Sequence, residues 1–412
     1  MNDAVVVGAG VAGLAAAIHL ARAGMRVRVL AKGVGATHLA GATVDVLGYA
    51  PALVGSPTEA LPGFVARHPD HPYAHLGPDA VVEAVRWFRE LVADLGYAGD
   101  PDRNLLLPTA LGVPRPTALA PATMAGGDLA AAGPLLVVGI RALKDLHPRL
   151  LAENLRLAGF EARAVEVDLE GLPADLQSVA LARRLEDAEV RKAFLRSLEG
   201  EAREGERVLV PAVLGLEAWS AVWEELQDAL GAPVVEVPTL PPSVAGVRLA
   251  RTLRAALREA GGRLWMGAEA FGAEASGDRV EAILTRTGGR VVRHEARWFV
   301  LATGGVAAGG VAADARGAFR ETVLGLPLRW VPADGPAFLP RYLDEHPASR
   351  VGVAVDGEMR PLGPDGAPAL DNVVAAGAVI GGAEPWREKS GEGISVATAH
   401  RAARTVLGEA GG

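Results

Sequence analysis

The chain has no cysteine among its 412 residues. That absence excludes disulfides, a cysteine nucleophile, a thiol relay and thiolate-held iron-sulfur clusters within this chain. Also missing is any uninterrupted apolar stretch of membrane-spanning length. The first apolar run is already a glycine-rich strand rather than the core of a secretion signal, so cytoplasmic synthesis is expected. A net positive charge is missing as well. A formal net charge of -8 and a pI of about 5.7 give nucleic acid no general field to meet, and no nucleic-acid partner is expected. With 50% hydrophobic residues, a chain of this length can bury large cores in two or three domains.

Glycine is plentiful, at 51 residues, and three glycines open the chain in the run from Val5 to Leu14. Val5 to Val7 read as a buried parallel strand. Gly8 permits a tight turn, Gly10 removes a side chain where a pyrophosphate approaches, and Gly13 lets the next helix sit close to the sheet. Val11 and Ala12 begin that helix, whose free N–H groups face the phosphates. Val27, Val29 and Leu30 supply the second strand. The carboxylate that usually ends such a strand and takes the ribose hydroxyls is replaced by Ala31; Lys32, which follows, is read either as a phosphate ligand or as a solvated lysine.

Two later segments repeat the strand-to-glycine pattern. Arg297 to Gly305 runs into Thr303, Gly304 and Gly305, and Asp371 to Gly382 carries Gly377, Gly381 and Gly382. After Gly391, alternating small and apolar residues predict a closing helix pointed at the crevice of the sheet. The fold class expected is α/β: a Rossmann-like nucleotide-binding domain interrupted by an α/β insertion domain, with an added antiparallel layer. The expected segments are 1–60, 241–310 and 370–412 for the nucleotide domain, 61–240 for the insertion, and 311–369 for a cap or contact segment. Within them, Ser243 to Ala260 and Leu143 to Ala158 read as helices. Strands are expected at Leu135 to Gly139, Ala162 to Leu169, Val208 to Pro211 and Val234 to Val237, and in the added layer at Leu264 to Phe271, Val280 to Arg286 and Val291 to Arg297.

Together with these units, Thr37 to Leu47, His71 to Gly77, Val234 to Arg248 and Val323 to Leu326 make the chain resemble the B subunit of the anaerobic, quinone-linked glycerol-3-phosphate dehydrogenase, in the wider fumarate-reductase-like flavoprotein group. The resemblance extends over essentially 1–410. It implies a flavin, FMN as described for that B subunit or FAD as the fold motif suggests. It also implies oxidation of sn-glycerol 3-phosphate to dihydroxyacetone phosphate, with electrons passing indirectly to quinone. The partners implied are an FAD-dependent dehydrogenase, the A subunit of the same complex, and a membrane-associated C subunit, which would carry the iron-sulfur clusters. Attachment to the inner face of the cell membrane would then run through those partners. The pattern departs at Ala31, at Ala378 and at Ser390 to Gly393, where a relative's cysteine is absent.

Candidate side chains follow from the chemistry. Oxidising a secondary alcohol requires a group to take the hydroxyl proton as hydride moves to the flavin. His38 is read either as that acceptor, with Asp45 orienting it, or as a structural loop histidine with Asp45 capping a turn. Arg248 with Ser243 is read either as a phosphate fork or as a salt bridge, and Arg387 with Lys389 either as a substrate contact or as a solvated charge group beside Glu384, Glu388 and Glu392. His71 and His75 lie four apart, but Pro72 argues against a helical ligand pair, and no metal is expected. Three readings of the function stay open: a catalytic flavin subunit, an electron-relay or structural subunit, and a flavin-dependent oxidoreductase acting on another small hydroxy substrate.

Overall fold

The opening strand, Asn2–Val7, has a parallel partner on each side because Ala4 to Val7 are apolar on both faces and buried. The structure, a computed structural model, describes residues 2–169, 171–341 and 344–408; the end of the expected 370–412 segment, 409–412, lies outside the described residues. The chain divides into two compact units. The first is built from Met1–Ala36, Asp45–Leu91 and Thr252–Gly412, and the second from Thr37–Val44 and Val92–Arg251.

In the first unit a seven-stranded sheet has Arg263–Met266, Val27–Ala31, Asn2–Val7 and Arg290–Leu301 in that order, with Val373–Ala375 beside the last. These five strands are parallel. Val7 is level with Leu30 and Leu301, and Leu301 with Ala375, so the carboxyl ends of four strands open on one edge. Arg290–Leu301 serves two layers. Its second half lies in the parallel sheet, while its first half pairs antiparallel with Arg279–Thr287, which in turn pairs with Glu269–Ser276. The expected strand Leu264 to Phe271 is therefore two strands. Gly267, at φ 77°, turns the chain between a parallel strand and an antiparallel one.

The opening helix, Val11–Arg22, and the closing helix, Gly391–Leu407, pack together in this unit. Residues 61–91, expected in the insertion, belong here too. Pro78–Leu91 buries Val81, Val82, Val85 and Phe88 and packs on the closing helix.

The second unit has a four-stranded parallel sheet in the order Val234–Val237, Arg207–Pro211, Leu135–Ile140, Ala162–Val167. Leu136, Val138, Val208 and Val210 enter one core, and Leu135, Val137, Leu209 and Val235 enter another. That alternation is what a strand covered on both faces requires. The helix expected from Leu143 is shorter, Pro148–Leu157, because proline is accommodated at the first helical position and not in the interior. The helix expected from Ser243 runs Val244–Glu259, and the division between the units falls within it. Residues 37–44 join this unit, where Val44 N–H donates to the Leu119 carbonyl at 2.8 Å and Tyr97 Oη donates to the Ala42 carbonyl.

His19, Trp87 and His400 meet where three helices of the first unit pack, with ring centroids 5.0 to 5.1 Å apart. Burial, then His19, Arg404 and Arg401, push His400 from 6.5 down to about 4. A depressed histidine pKa means that the unfolded chain takes the proton first as pH falls. The stability held by neutral His400 above pH 6.5 is therefore lost between pH 6.5 and about 4. The loss at pH 5 should be on the order of 2 kcal/mol. His400→Phe, which keeps a ring against Trp87, should flatten this acid sensitivity. Thermal unfolding at pH 7 and pH 5 checks it, and equal slopes for the two proteins would remove His400 as the cause.

Candidate functional site

The carboxyl edge of the first unit's parallel sheet gathers the three glycine segments. Gly8 N–H donates to the Leu30 carbonyl at 2.8 Å, Ala302 N–H to Val7 at 2.9 Å, and Ala376 N–H to Leu301 at 2.9 Å. The turns after these strands are thus adjacent, in the place where open α/β sheets bind nucleotides. Gly377 lies between the two helices. A Cβ there would come 2.8 Å from the Ala12 methyl, its N–H donates to Thr398 Oγ1 at 2.8 Å, and Ser395 Oγ is also near. The first turns of the opening and closing helices therefore converge on this edge. Neither helix has a side-chain cap at its start, and the opening helix has no acidic residue in its first turn. Uncapped N–H groups and the positive ends of two helix dipoles favour an anion.

The fingerprint glycines separate by cause. Gly8 has φ 116°, and a Cβ on it would strike the Ala302 carbonyl; a Cβ on Gly13 would strike the Gly8 carbonyl. Internal packing demands both. Gly10 has φ -77° and an added Cβ would meet nothing within 4 Å, so neither backbone nor packing requires glycine there. The open space leaves room there for a ligand to approach the backbone. Thr303 Oγ1 is buried at the same edge with no hydrogen-bond partner among the described residues. These features fit the pyrophosphate and sugar of a flavin nucleotide. In the second unit the residues that follow the strands, including Ala142, Leu143, Val213 and Leu214, are buried in the core instead.

The FAD binding domain family matches residues 3–394. The B subunit of the probable anaerobic glycerol-3-phosphate dehydrogenase of Halobacterium salinarum is 35% identical over 99% of this chain and 98% of its own length. The B subunit of the anaerobic glycerol-3-phosphate dehydrogenase of Yersinia pestis is 31% identical over 99% and 98%. The chain belongs to this family of B subunits. It is a flavoprotein of the FAD-binding group, in agreement with the expected α/β class. The open conformation of a flavocytochrome c3 fumarate reductase is similar in structure, with a TM-score of 0.47 and 11% identity over 100% of this chain and 79% of that one. Among the described residues no helix is long and apolar enough to cross a membrane.

The residues that the sequence singles out in this family member fall in both units. Gly8, Gly10, Val11, Ala12, Gly13, Thr303, Gly304, Gly305, Gly377 and Gly391 are at or next to the turns of the edge. Gly381 and Gly382 pack against Arg350 and Trp330, and Gly382 N–H donates to the Arg350 carbonyl at 2.9 Å. His38, Ser243 and Arg248 belong to the second unit, and Asp45, Arg387 and Lys389 to the first. The His38 carbonyl accepts from Ser243 N–H at 2.8 Å, while Ser243 Oγ accepts from Gly246 N–H at 3.2 Å and so caps the Val244–Glu259 helix. Asp45 is buried, and its carbonyl accepts from Gly393 N–H at 2.9 Å.

Arg248 has the salt-bridge outcome. Its fork engages Glu236 at 2.5 and 3.0 Å, its Nε donates to Gly215 at 2.8 Å, and both partners of the ion pair are buried. A guanidinium held at its fork and at its Nε is not presented to a phosphate. Arg387 pairs with Glu345 at 2.9 Å and lies 3.6 Å from Glu384. Lys389 supplies a left-handed turn at φ 51°. His71 caps the short helix Pro72–Leu76 by accepting from Tyr73 N–H.

Two further residues, Glu269 and Arg350, carry no signal in the sequence. Glu269 Oε1 is 2.7 Å from Lys32 Nζ, so the lysine that follows Ala31 meets a carboxylate from beyond the neighbouring strand, where Ala268 N–H donates to the Ala31 carbonyl at 3.0 Å. Only the parallel pairing of Arg263–Met266 could have revealed it. Arg350 ends the turn Pro347–Arg350 beside Gly381 and Gly382, and its buried Nε has no hydrogen-bond partner among the described residues. Nothing in its local sequence marks it.

Gly10→Ala should leave the fold intact, within about 0.5 kcal/mol, yet weaken flavin binding at least about tenfold because the methyl meets the ligand alone. Gly8→Ala should instead destabilise the protein by about 1–3 kcal/mol through strain. Urea unfolding of the flavin-free protein and titration with flavin separate the two; unchanged affinity in Gly10→Ala would move the nucleotide away from this turn.

Proposed function

We propose that the chain is the flavin subunit of a glycerol-3-phosphate dehydrogenase that oxidises sn-glycerol 3-phosphate to dihydroxyacetone phosphate and passes the electrons to quinone through partner subunits. The observation that carries this reading is the carboxyl edge, where two uncapped helix starts and an unconstrained Gly10 prepare an anion site in a chain similar along nearly its whole length to named B subunits. When bound, the flavin supplies the two-electron acceptor.

The protein's own residues would bind and orient. The N–H groups that follow Gly10 hold the pyrophosphate or phosphate, and Thr303 supplies a further polar contact. Glu269 takes the place of the absent ribose-binding acid, which favours FAD over FMN. Arg350 is the proposed phosphate dock, since its buried Nε has no hydrogen-bond partner among the described residues, its carbonyl meets the Gly381 and Gly382 turn, and it exerts charge on both Glu384 and His68.

A second reading makes the chain an electron relay, reduced by a partner subunit that oxidises the substrate. It is favoured by Arg248 and Arg387, both engaged by carboxylates, and by the lack of cysteine, which requires iron-sulfur clusters to be held elsewhere. Under either reading the partners proposed are a dehydrogenase, the A subunit of the complex, and a membrane-associated C subunit.

Mixing the flavin-loaded chain alone with glycerol 3-phosphate in a stopped-flow spectrometer distinguishes the two. Direct bleaching supports catalysis, and bleaching only when the dehydrogenase partner is added supports the relay. In the catalytic case Arg350→Ala should weaken substrate binding about 10- to 100-fold, the range for a charged hydrogen bond, with flavin content unchanged. Equal substrate affinity in the variant would dismiss Arg350. Glycerol 3-phosphate that bleaches neither the chain nor its assembled complex would dismiss the substrate.

A further inference from the structure

A buried hydrogen-bond network joins three stretches of the first unit that are far apart in sequence, and it lies at the start of the closing helix. His71 is 1% exposed, and its Nε2 is 3.1 Å from Glu388 Oε2. Its Nδ1 accepts from Tyr73 N–H at 3.1 Å, which requires a lone pair there and so puts the ring proton on Nε2, donating to Glu388. Glu388 Oε2 also accepts from Ser390 Oγ at 2.7 Å, and Glu388 Oε1 accepts from Glu384 N–H at 2.9 Å. Burial raises the Glu388 carboxyl, but the hydrogen bonds from His71, Ser390 and Glu384 outweigh it and hold it below its ordinary value. The carboxylate is therefore ionised, and its donors are arranged around it.

The same network ties down the backbone. The Glu388 carbonyl accepts from Gly48 N–H at 2.8 Å and Tyr49 N–H at 3.0 Å. Tyr73 Oη donates to the Val46 carbonyl at 2.9 Å and to the Ser390 carbonyl at 3.3 Å. Gly393, in the first turn of the closing helix, sits against Tyr73 Oη, and a Cβ there would lie 2.9 Å from Val46 Cα. A rotation or slide of the helix start would break several of these contacts at once.

We propose that His71 is a positioning residue whose Nε2–H, through Glu388 and Ser390, fixes the start of the closing helix at the flavin edge and thereby sets flavin affinity and reduction potential. This rests on the reading that the flavin lies at the carboxyl edge of the sheet. In this arrangement the pyrophosphate lies at the opening helix and the flavin ring at the closing one, where aimed N–H groups would stabilise the reduced, more anionic ring more than the oxidised one. Loosening that start costs the reduced form more.

The test uses two substitutions that each keep one half of the imidazole. His71→Asn keeps an oxygen where Nδ1 caps Tyr73 N–H and loses the donor to Glu388; His71→Gln places an amide donor near the Nε2 position and gives up the cap. Full-length variants are titrated with FAD and with FMN, and their midpoint potentials are measured against reference dyes. His71→Asn should bind oxidised flavin about tenfold more weakly. It should lose a further tenfold on reduction, which is a potential about 30 mV more negative. His71→Gln should remain close to the parent protein in both. Parent-like values in His71→Asn, or equal losses in both variants, would overturn the proposal, since the second result assigns His71 to capping or packing. Should His71→Asn not fold, Ser390→Ala removes another donor to the same carboxylate, and an unshifted potential there overturns it equally. A parent protein that binds neither flavin would instead refute the site itself.

Discussion

The contact of backbone on backbone at the opening turn is the constraint on which the site depends. Gly13 lies against the Gly8 carbonyl and Gly8 against the Ala302 carbonyl, so the opening helix, the opening strand and the end of the Arg290–Leu301 strand are held at a separation that admits no side chain. Close approach places the first N–H groups of the helix directly over the strand ends. From that fixed corner, Gly377 brings in the closing helix by its own lack of a Cβ, against Ala12. The positive ends of two helices are then held near one another. Such an arrangement favours a negative group, and the backbone prepares it before any ligand-binding side chain contributes.

Much of the fold was legible because it depends on local pattern. Val5 to Val7 and Phe299 to Leu301 are uninterrupted apolar runs followed by glycine, and a buried parallel strand that turns into a nucleotide crevice leaves that trace. The strands of the second unit were read for the same reason. Legibility failed where pairing decides the outcome. Leu264 to Phe271 reads as one strand, and only partner choice reveals that Met266 faces Ala31 in one sheet while Glu269 pairs with Arg286 in another layer.

Candidate side chains were harder to read than glycines because a polar residue has two uses with the same local signature. Arg248 follows a Ser243 cap and a proline-rich turn, as a phosphate ligand would, but Glu236 lies twelve residues away in sequence on an adjacent strand and engages the whole fork. A buried arginine is recognised as a ligand or a salt bridge only by what stands opposite it. Arg350 is the reverse case. Its sequence context is plain, and its interest arises from a buried Nε without a partner among the described residues, on a residue whose carbonyl meets a glycine turn. The unsatisfied atom is a stronger pointer than the residue type.

The network around Glu388 explains how the charged groups just before the closing helix are held by partners of their own. Glu388 lies ahead of that helix, but its carboxylate is turned to His71, Ser390 and Glu384 N–H. Arg387 is turned to Glu345 and Glu384. Both of these charges thus have protein partners of their own, while Gly391, Glu392 and Gly393 form the turn itself. Had the Ser390 hydroxyl bonded back to those N–H groups, it would have capped the helix in the ordinary way and competed with any ligand. It donates to Glu388 instead. Cap and anion site are alternatives for the same donors, and neither the Ser390 hydroxyl nor the Glu388 carboxylate takes part in a cap.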